Sequence, residues 1–560
     1  MIELIGIVIV LIILNQFIYD RFVQRHSSLL ISYPVIGRMR YFFEALREPL
    51  RQYFADEKFY ESRDKIDWVY KASKNEPNFV SFSLSNAQNG SRFMLKNANF
   101  VLNDSEVSTD FGVEFGRDNR TYKATSPIIR SAMSDGALSP EATRAFTLAA
   151  KNGNFLLNTG EGGVTTNHFF GFDLQETDAK CFEKIQGSGS ARAIYKIFAF
   201  VTNTNTAANI YRAMTLDKKT RETYILHKPS LTFFRPNWDA PIETFPMSTP
   251  SSIAPILFQI GSGLYGVRDS RGNFDIERYK KIMSFCQMTE VKLAQGAKQT
   301  GGKIIASKVT DAVAYYRGVE AHKDLISPNR FPYAHSMEEL FDFIGLLQEA
   351  SKKPVGIKMV ISDTAQAKEY AEFIRERKKE GLAFPDFITI DSGDGGSATA
   401  PLELMESIGL NTFESLYIVD KELRNMGVRK DIKIISSGKI LTPDDLIVAL
   451  ALGADAVGIA RGFMMSAGCI RARHCSGAGK MQCPVGMATQ DKGKRASFLT
   501  YHNAERAENY HTNLLKGAKT VMAVMGVGNL QGLSKQNLSF KESSGEIYFD
   551  IDRYFELKIK

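Results

Sequence analysis

The sequence is poor in several residue types, and each scarcity narrows what it can be. Five cysteines in 560 residues are too few for a disulfide scaffold and point to a reducing compartment. Long Lys/Arg blocks are missing, and basic residues do not interleave with aromatics. With a formal net charge of only +8 there is no footprint for a nucleic-acid backbone, so nucleic acid is not an expected partner. Long apolar runs are scarce too, which excludes a polytopic membrane protein. A hydrophobic share of 44% and a charged share of 24% are those of a folded globular body.

The one long apolar run is Ile2 to Tyr19, IELIGIVIVLIILNQFIY, about 27 Å long as a helix, close to the hydrocarbon thickness of a bilayer. No basic segment precedes it and no small-residue cleavage site follows, so an anchor is expected rather than a signal peptide. Arg21, Arg25, Arg38, Arg40, Arg47 and Arg51 come after it. By the positive-inside rule they place the body in the cytoplasm, on a single-pass inner-membrane protein. A buried terminal helix is the alternative. Beyond the anchor (1–20), residues 21–120 read as a helical or irregular preface, 121–500 as the catalytic body and 501–560 as a helical tail.

From Pro127 onward, short runs rich in Val and Ile recur and predict eight strands. They are Ile128–Met133, Phe155–Asn158, Ile256–Ile260, Glu290–Leu293, Val355–Val360, Phe387–Ile390, Ile432–Ile435 and Ala456–Ile459. Amphipathic stretches at Pro140–Lys151, Met337–Ala350, Ala365–Lys379 and Pro443–Leu452 lie between them. Gly-rich polar motifs follow the strand ends, as the loops of a (β/α)8 TIM barrel do, so the predicted fold is α/β with its ligand at the C-terminal face. About 80 residues, 169–250, separate the second and third strands, far beyond an ordinary loop; a lid, a subdomain or a partner surface would each account for them.

The motifs carry chemistry. Ser436-Ser437-Gly438-Lys439 and Gly458-Ile459-Ala460-Arg461-Gly462 stand after the last two strands, where barrels bind phosphate through backbone N–H groups and a cation. The loops Asn158 to Gly163 and Ser392 to Gly396 each carry one acid, Glu161 and Asp394, among glycines that let a flat ring approach the backbone. Gly261 to Gly266 matches a dinucleotide fingerprint, but no helix follows it, which excludes a Rossmann site. Lys292 and Lys358 interrupt apolar strands and either turn inward to an anion or snorkel outward. Lys298 is better placed for a substrate carboxylate. Cys469, Cys475 and Cys483 are spaced C-x5-C-x7-C; an iron–sulfur cluster, a zinc site completed by His474, and inert thiols all remain open.

Taken in order, MSDGALSPEA, NTGEGG, QIGSGLYG, KLAQGAK, GDGG, SSGKI and CPVGMATQD resemble the FMN-binding glutamate synthase family, in its stand-alone, membrane-anchored branch. The resemblance implies an FMN ring contacted by Met133, Ser134, Thr159, Gly160, Glu161, Gly162, Gly163 and Gln259, with Lys292 and Lys358 at matched positions. Gly393, Asp394, Gly395 and Gly396 would also bind the cofactor, with the phosphate near Ser437, Gly438, Gly458, Ala460 and Arg461. It also implies a 3Fe-4S cluster on Cys469, Cys475 and Cys483, though the second cysteine gap exceeds the family's usual spacing. The implied reaction reduces 2-iminoglutarate, from 2-oxoglutarate and ammonia, to L-glutamate. Lys298 and Glu161 are its expected catalytic residues, and Lys298, Lys303 and Arg330 its expected substrate ligands. With no amino-terminal cysteine nucleophile and no nicotinamide fold, ammonia is expected from solution or a separate source, and electrons from ferredoxin or a reductase. The altered loop after Lys298 keeps another imino acid, such as the precursor of N-methylglutamate, in play, as well as a non-catalytic flavin and iron–sulfur electron carrier.

Overall fold

Along each barrel strand the residues alternate in what they face, and this period of two produces two separate cores. Val291, Val355, Ile357, Ile388, Ile390, Ile434 and Val457 point outward into the main core beneath the helices. Their neighbours Ile129, Leu156, Leu257, Met288, Phe387, Ile435 and Ala456 form a distinct cluster inside the barrel. The strands are Ile128–Arg130, Leu157–Asn158, Ile256–Ile260, Met288–Lys292, Val355–Met359, Phe387–Asp391, Lys433–Ser437 and Ala456–Ile459. They close in chain order into one parallel barrel, the last strand pairing with the first. All eight predicted strands are present, within a few residues at each end. This computed structural model describes the chain apart from residues 1, 25–27, 40–41, 44–45, 47–61, 79–90, 176–177, 247, 299–300, 402, 406, 478–481 and 560. Arg25, Arg40, Arg47 and Arg51 of the charge argument lie outside the described residues.

The helices begin and end where their caps dictate. Pro140–Gly153 starts behind Ser139, whose side chain accepts from the Ala142 N–H, with proline in the first turn, and stops at Asn154 in the left-handed region. Met337–Ser351, Thr364–Glu380 and Pro443–Ala451 occupy the other predicted helical stretches.

Two expectations change. The preface (21–120) ends in a hairpin that runs on into the body, Val113–Arg117 and Arg120–Ala124, which plugs the barrel floor: Val113, Phe115 and Ala124 belong to the interior cluster. Arg117 fixes the plug by pairing with Asp386 at 2.9 Å and lying 3.6 Å over the Phe384 ring. The tail (501–560) is not simply helical. After the helix Thr500–Met525, the strand Leu538–Lys541 pairs with Arg92–Leu95 and Ile547–Tyr548, because Leu538 and Phe540 need apolar cover. Within 169–250 lies a small subdomain, in which strands Phe182–Gln186, Ile225–His227 and Thr232–Pro236 form an antiparallel sheet. With helices Gly189–Val201 and Thr204–Thr215 they enclose a cluster of their own around Tyr211, Tyr224 and Phe233.

The chain divides into two compact units, one comprising residues 1–63 and 470–472 and the other the rest. In the first, helix Ile2–Ile18 runs on into the turn Tyr19–Val23. Buried Asp20 accepts from Gln16, the Val35 N–H and Arg38. Among the described residues, Ile5–Val23 is the one helical stretch long and apolar enough to cross a membrane.

His511, on the Thr500–Met525 helix, lies buried between the Phe155 ring, 4.4 Å away, and Ser126 Oγ, 2.8 Å from its Nε2. Burial pushes its pKa from 6.5 down to about 3. A histidine kept neutral by the fold costs stability as the unfolded chain takes up protons. The contribution of His511 to conformational stability should therefore be intact above pH 6.5 and fall by about 1.4 kcal/mol per pH unit below it, until the folded value is reached. Urea unfolding at several pH values should show this slope, reduced in His511→Asn.

Candidate active site at the barrel mouth

Moving up the barrel axis from the apolar floor, the inward positions turn polar. Glu290, 1% exposed, sits at the centre. It accepts from Asn158 Nδ2 at 2.8 Å, Gln259 Nε2 at 2.6 Å and Thr389 Oγ1 at 2.5 Å. Four strands are thereby tied to one carboxylate. One level higher, Lys292 and Lys358 are direct partners across neighbouring strands, and both are buried. Two ammonium groups so placed repel unless each has its own acid. Lys358 takes Asp391 at 3.0 Å, and Lys292 takes Glu161 at 3.1 Å. Burial works against the Lys358 charge, but Asp391 and Glu290 outweigh it and hold its pKa above the usual value. The inward orientation of both lysines is thus the one realised.

Glu161 is the hub of the mouth. Burial pushes its carboxyl up, but Lys292, then Lys298 and Arg317, prevail and hold it below the ordinary range. Lys298 donates to Thr399 Oγ1 at 3.0 Å, and burial, with Lys292 adding to it, lowers its pKa. Arg317 is buried and donates to the Asp135 carbonyl at 3.1 Å and Ser134 Oγ at 3.4 Å, while its Nε has no partner. A narrow crevice beside it is lined by Asp135, Gly162, Thr165, Tyr316 and Gln490 among others. Reading the sequence missed Arg317. The available signal was a cation ending the apolar run Ala312 to Tyr316, one short helix beyond the Lys298 loop. Lys303 is exposed on the two-residue strand Lys303–Ile304, and Arg330 is exposed near Glu339; neither is gathered into this cluster. Gln299 and Thr300 of the altered loop lie outside the described residues.

Around this hub glycines let backbone segments approach one another closely. Gly160 has φ 64°, and a Cβ there would stand 2.6 Å from the Ser134 N and 3.0 Å from the Met133 carbonyl carbon. Thr159 Oγ1 accepts from the Gln259 N–H at 3.0 Å, and Gly163 packs on Gly266. Opposite, Gly393 and Gly395 pack on backbone, and Gly396 faces Arg461. Asp394 meets Thr412 Oγ1 at 3.1 Å and Lys439 at 3.6 Å. Gly438 leaves no room for a Cβ against Ser392 and Thr412. Gly458 opens on Ser437 and Ser131, and Ala460 precedes the helix Arg461–Ser466. The Ser436 hydroxyl is buried without a partner.

Among the described residues no three Cys, His, Asp or Glu side chains converge as a metal site. Cys475 and Cys483 lie near the Lys308 ammonium, which donates to the Cys475 carbonyl at 2.6 Å and the Ala488 carbonyl at 2.8 Å. Residues 478–481 between these cysteines are outside the described residues.

Because Glu290 satisfies three donors and helps neutralise Lys358, Glu290→Ala should cost about 3–5 kcal/mol of stability, the usual penalty for stranding a buried charge. Denaturant titration checks this, and Glu290→Gln should lose less.

The conserved region in glutamate synthase matches residues 65–528. The glutamate synthase large subunit-like protein YerD of Bacillus subtilis is 32% identical over 551 residues, 97% of this chain and 96% of that one. An archaeal-type glutamate synthase [NADPH] of Thermotoga maritima is 30% identical over 281 residues, 50% of this chain and 51% of that one, so the match spans about half of that relative. A solved mandelate oxidase variant with an FMN adduct aligns over 89% of this chain and 99% of its own at a TM-score of 0.39 and 12% identity, too loose a likeness to bear on the site. With most of its length inside the matched region and a full-length relative, the chain belongs to the glutamate synthase family.

Proposed function

We propose that this oxidoreductase holds FMN at the barrel mouth and reduces 2-iminoglutarate, formed from 2-oxoglutarate and ammonia, to L-glutamate with electrons from another protein. The observation that carries the reading is the gathering of Lys292, Lys298 and Arg317 on Glu161. Lys298 and Arg317 both act on Glu161 without a close ion pair of their own to it, and buried cations at a barrel mouth suit an anionic ligand. A small dicarboxylate is such a ligand. The names of relatives, glutamate synthases among them, support the same substrate.

The residues fit the cofactor. Gly396 leaves its backbone open on the side of Arg461, and Ser437, Gly438, Gly458 and Arg461 offer hydroxyl, N–H and guanidinium groups to a phosphate. When bound, FMN supplies the two-electron reduction. The protein's own task is positional: Lys298 and Arg317 would grip the substrate carboxylates and orient the imine carbon for reduction. Glu161 holds Lys292 in place and limits repulsion between the lysines. Lys298, with its proton loosened by burial, is suited to keep the imine nitrogen protonated. The motif resemblance supports a three-iron cluster on Cys469, Cys475 and Cys483, while among the described residues no three metal-ligating side chains converge. The apolar stretch Ile5–Val23 supports a single-pass anchor with the barrel in the cytoplasm. Ferredoxin or a reductase would be the electron donor.

Purified protein should be yellow, and chemically reduced enzyme should form glutamate from 2-oxoglutarate and ammonium as the flavin reoxidises. Flavin that stays reduced, with no glutamate, rejects the reading. Lys298→Ala should lower kcat by roughly 10²-fold or more with the flavin spectrum unchanged. Arg317→Lys should raise KM for 2-oxoglutarate about tenfold, the effect of ~1.4 kcal/mol.

A further inference from the structure

The small subdomain between the second and third barrel strands presents an apolar surface that its own core does not use. On the helix Gly189–Val201, Ala191 is buried and Tyr195 packs on the subdomain cluster. The opposite face carries Ile197 at 60%, Phe200 at 92% and Val201 at 70% exposure. At 100° per residue Ala193, Ile197 and Phe200 fall within one narrow stripe. Arg192 and Lys196 flank that stripe on one side, and both are exposed. The charge around it is one-sided: Phe182 to Pro236 contains nine Lys/Arg and three Asp/Glu, so this tenth of the chain carries +6 of the net +8. Lys184, Lys218 and Lys219 add to the exposed basic groups.

A fully exposed phenylalanine in a stripe with isoleucine and valine is costly in water. Apolar side chains beside basic ones suit a surface that is negatively charged outside and apolar just beneath. An electron-donor protein would need acidic groups around an apolar pocket, and a second copy would bring its own excess positive charge against this one. A bilayer containing anionic lipid offers both required properties at once, and the apolar stretch Ile5–Val23 would raise the local concentration of such a surface.

We infer that the helix Gly189–Val201 is a second, reversible membrane contact, inserting Ile197, Phe200 and Val201 into the interface of an anionic bilayer while Arg192 and Lys196 meet its headgroups. The inference leans on the membrane anchoring proposed above, and a single experiment separates the two. Full-length Phe200→Trp protein is reconstituted with vesicles of equimolar phosphatidylglycerol and phosphatidylcholine, or phosphatidylcholine alone, with bromine on shallow acyl carbons, about 5–10 Å below the headgroups. Flotation reports anchoring; bromine quenching of the added emission, with the parent protein as baseline, reports contact of the helix. The expected result is flotation on both vesicles. The added emission should be mostly lost on the anionic ones, and the loss should diminish with high salt and in Phe200→Trp carrying Arg192→Glu and Lys196→Glu. Protein that floats but shows no quenching beyond the parent overturns the inference while leaving the anchor intact; protein that does not float overturns both. Quenching that is equal on neutral vesicles and indifferent to salt also overturns it. So does a concentration-dependent blue shift without vesicles, which would assign the face to a second copy. Because Phe200 is 92% exposed, the substitution leaves the fold undisturbed.

Discussion

Two lysines facing each other across adjacent parallel strands set the terms for the whole mouth. Lys292 and Lys358 cannot share a buried environment unless each is separately neutralised, so an acid must reach in for each. Asp391 does so from the end of a neighbouring strand and Glu161 from a loop 131 residues earlier in the chain. Once Glu161 is drawn in, Lys298 and Arg317 can approach it, and three cations meet on a single carboxylate. Glu290, beneath, holds the strands that carry these groups in one register.

The barrel supports this polar end by being apolar at the other. Its floor is a packed cluster closed by a hairpin, and Phe115 meets Phe387 edge-on at 5.8 Å between ring centres. Water is excluded from below, which raises the strength of every charge pair above. The inward positions thus pass from hydrocarbon to ion pairs within two or three residues of strand. The subdomain between the second and third strands has its own small core and does not interrupt the barrel. For that reason it can carry a surface with a different purpose.

What was legible in the sequence is what local pattern encodes. Apolar runs of four or five residues separated by capped amphipathic helices give eight strands in order, and glycine-rich motifs after them mark the face that binds. Glu161, Lys292, Lys298 and Lys358 stand out because a charge in or just beyond an apolar strand is conspicuous. The likeness of seven ordered motifs to the glutamate synthase family supplied the rest of the assignment. The tail misled because periodicity reports a helix at Thr500–Met525 but not the distant partner, Arg92–Leu95, that turns Leu538–Lys541 into a strand.

By itself the sequence determined the strand count, the binding face and the lysines' presence, since backbone periodicity and glycine content are local properties. Only the tertiary structure decided which way Lys292 and Lys358 point, because that depends on acids brought from elsewhere in the chain. It also chose Arg317 over Lys303 and Arg330 as the third cation near Glu161. Convergence in space is set by packing, and no spacing along a chain records it.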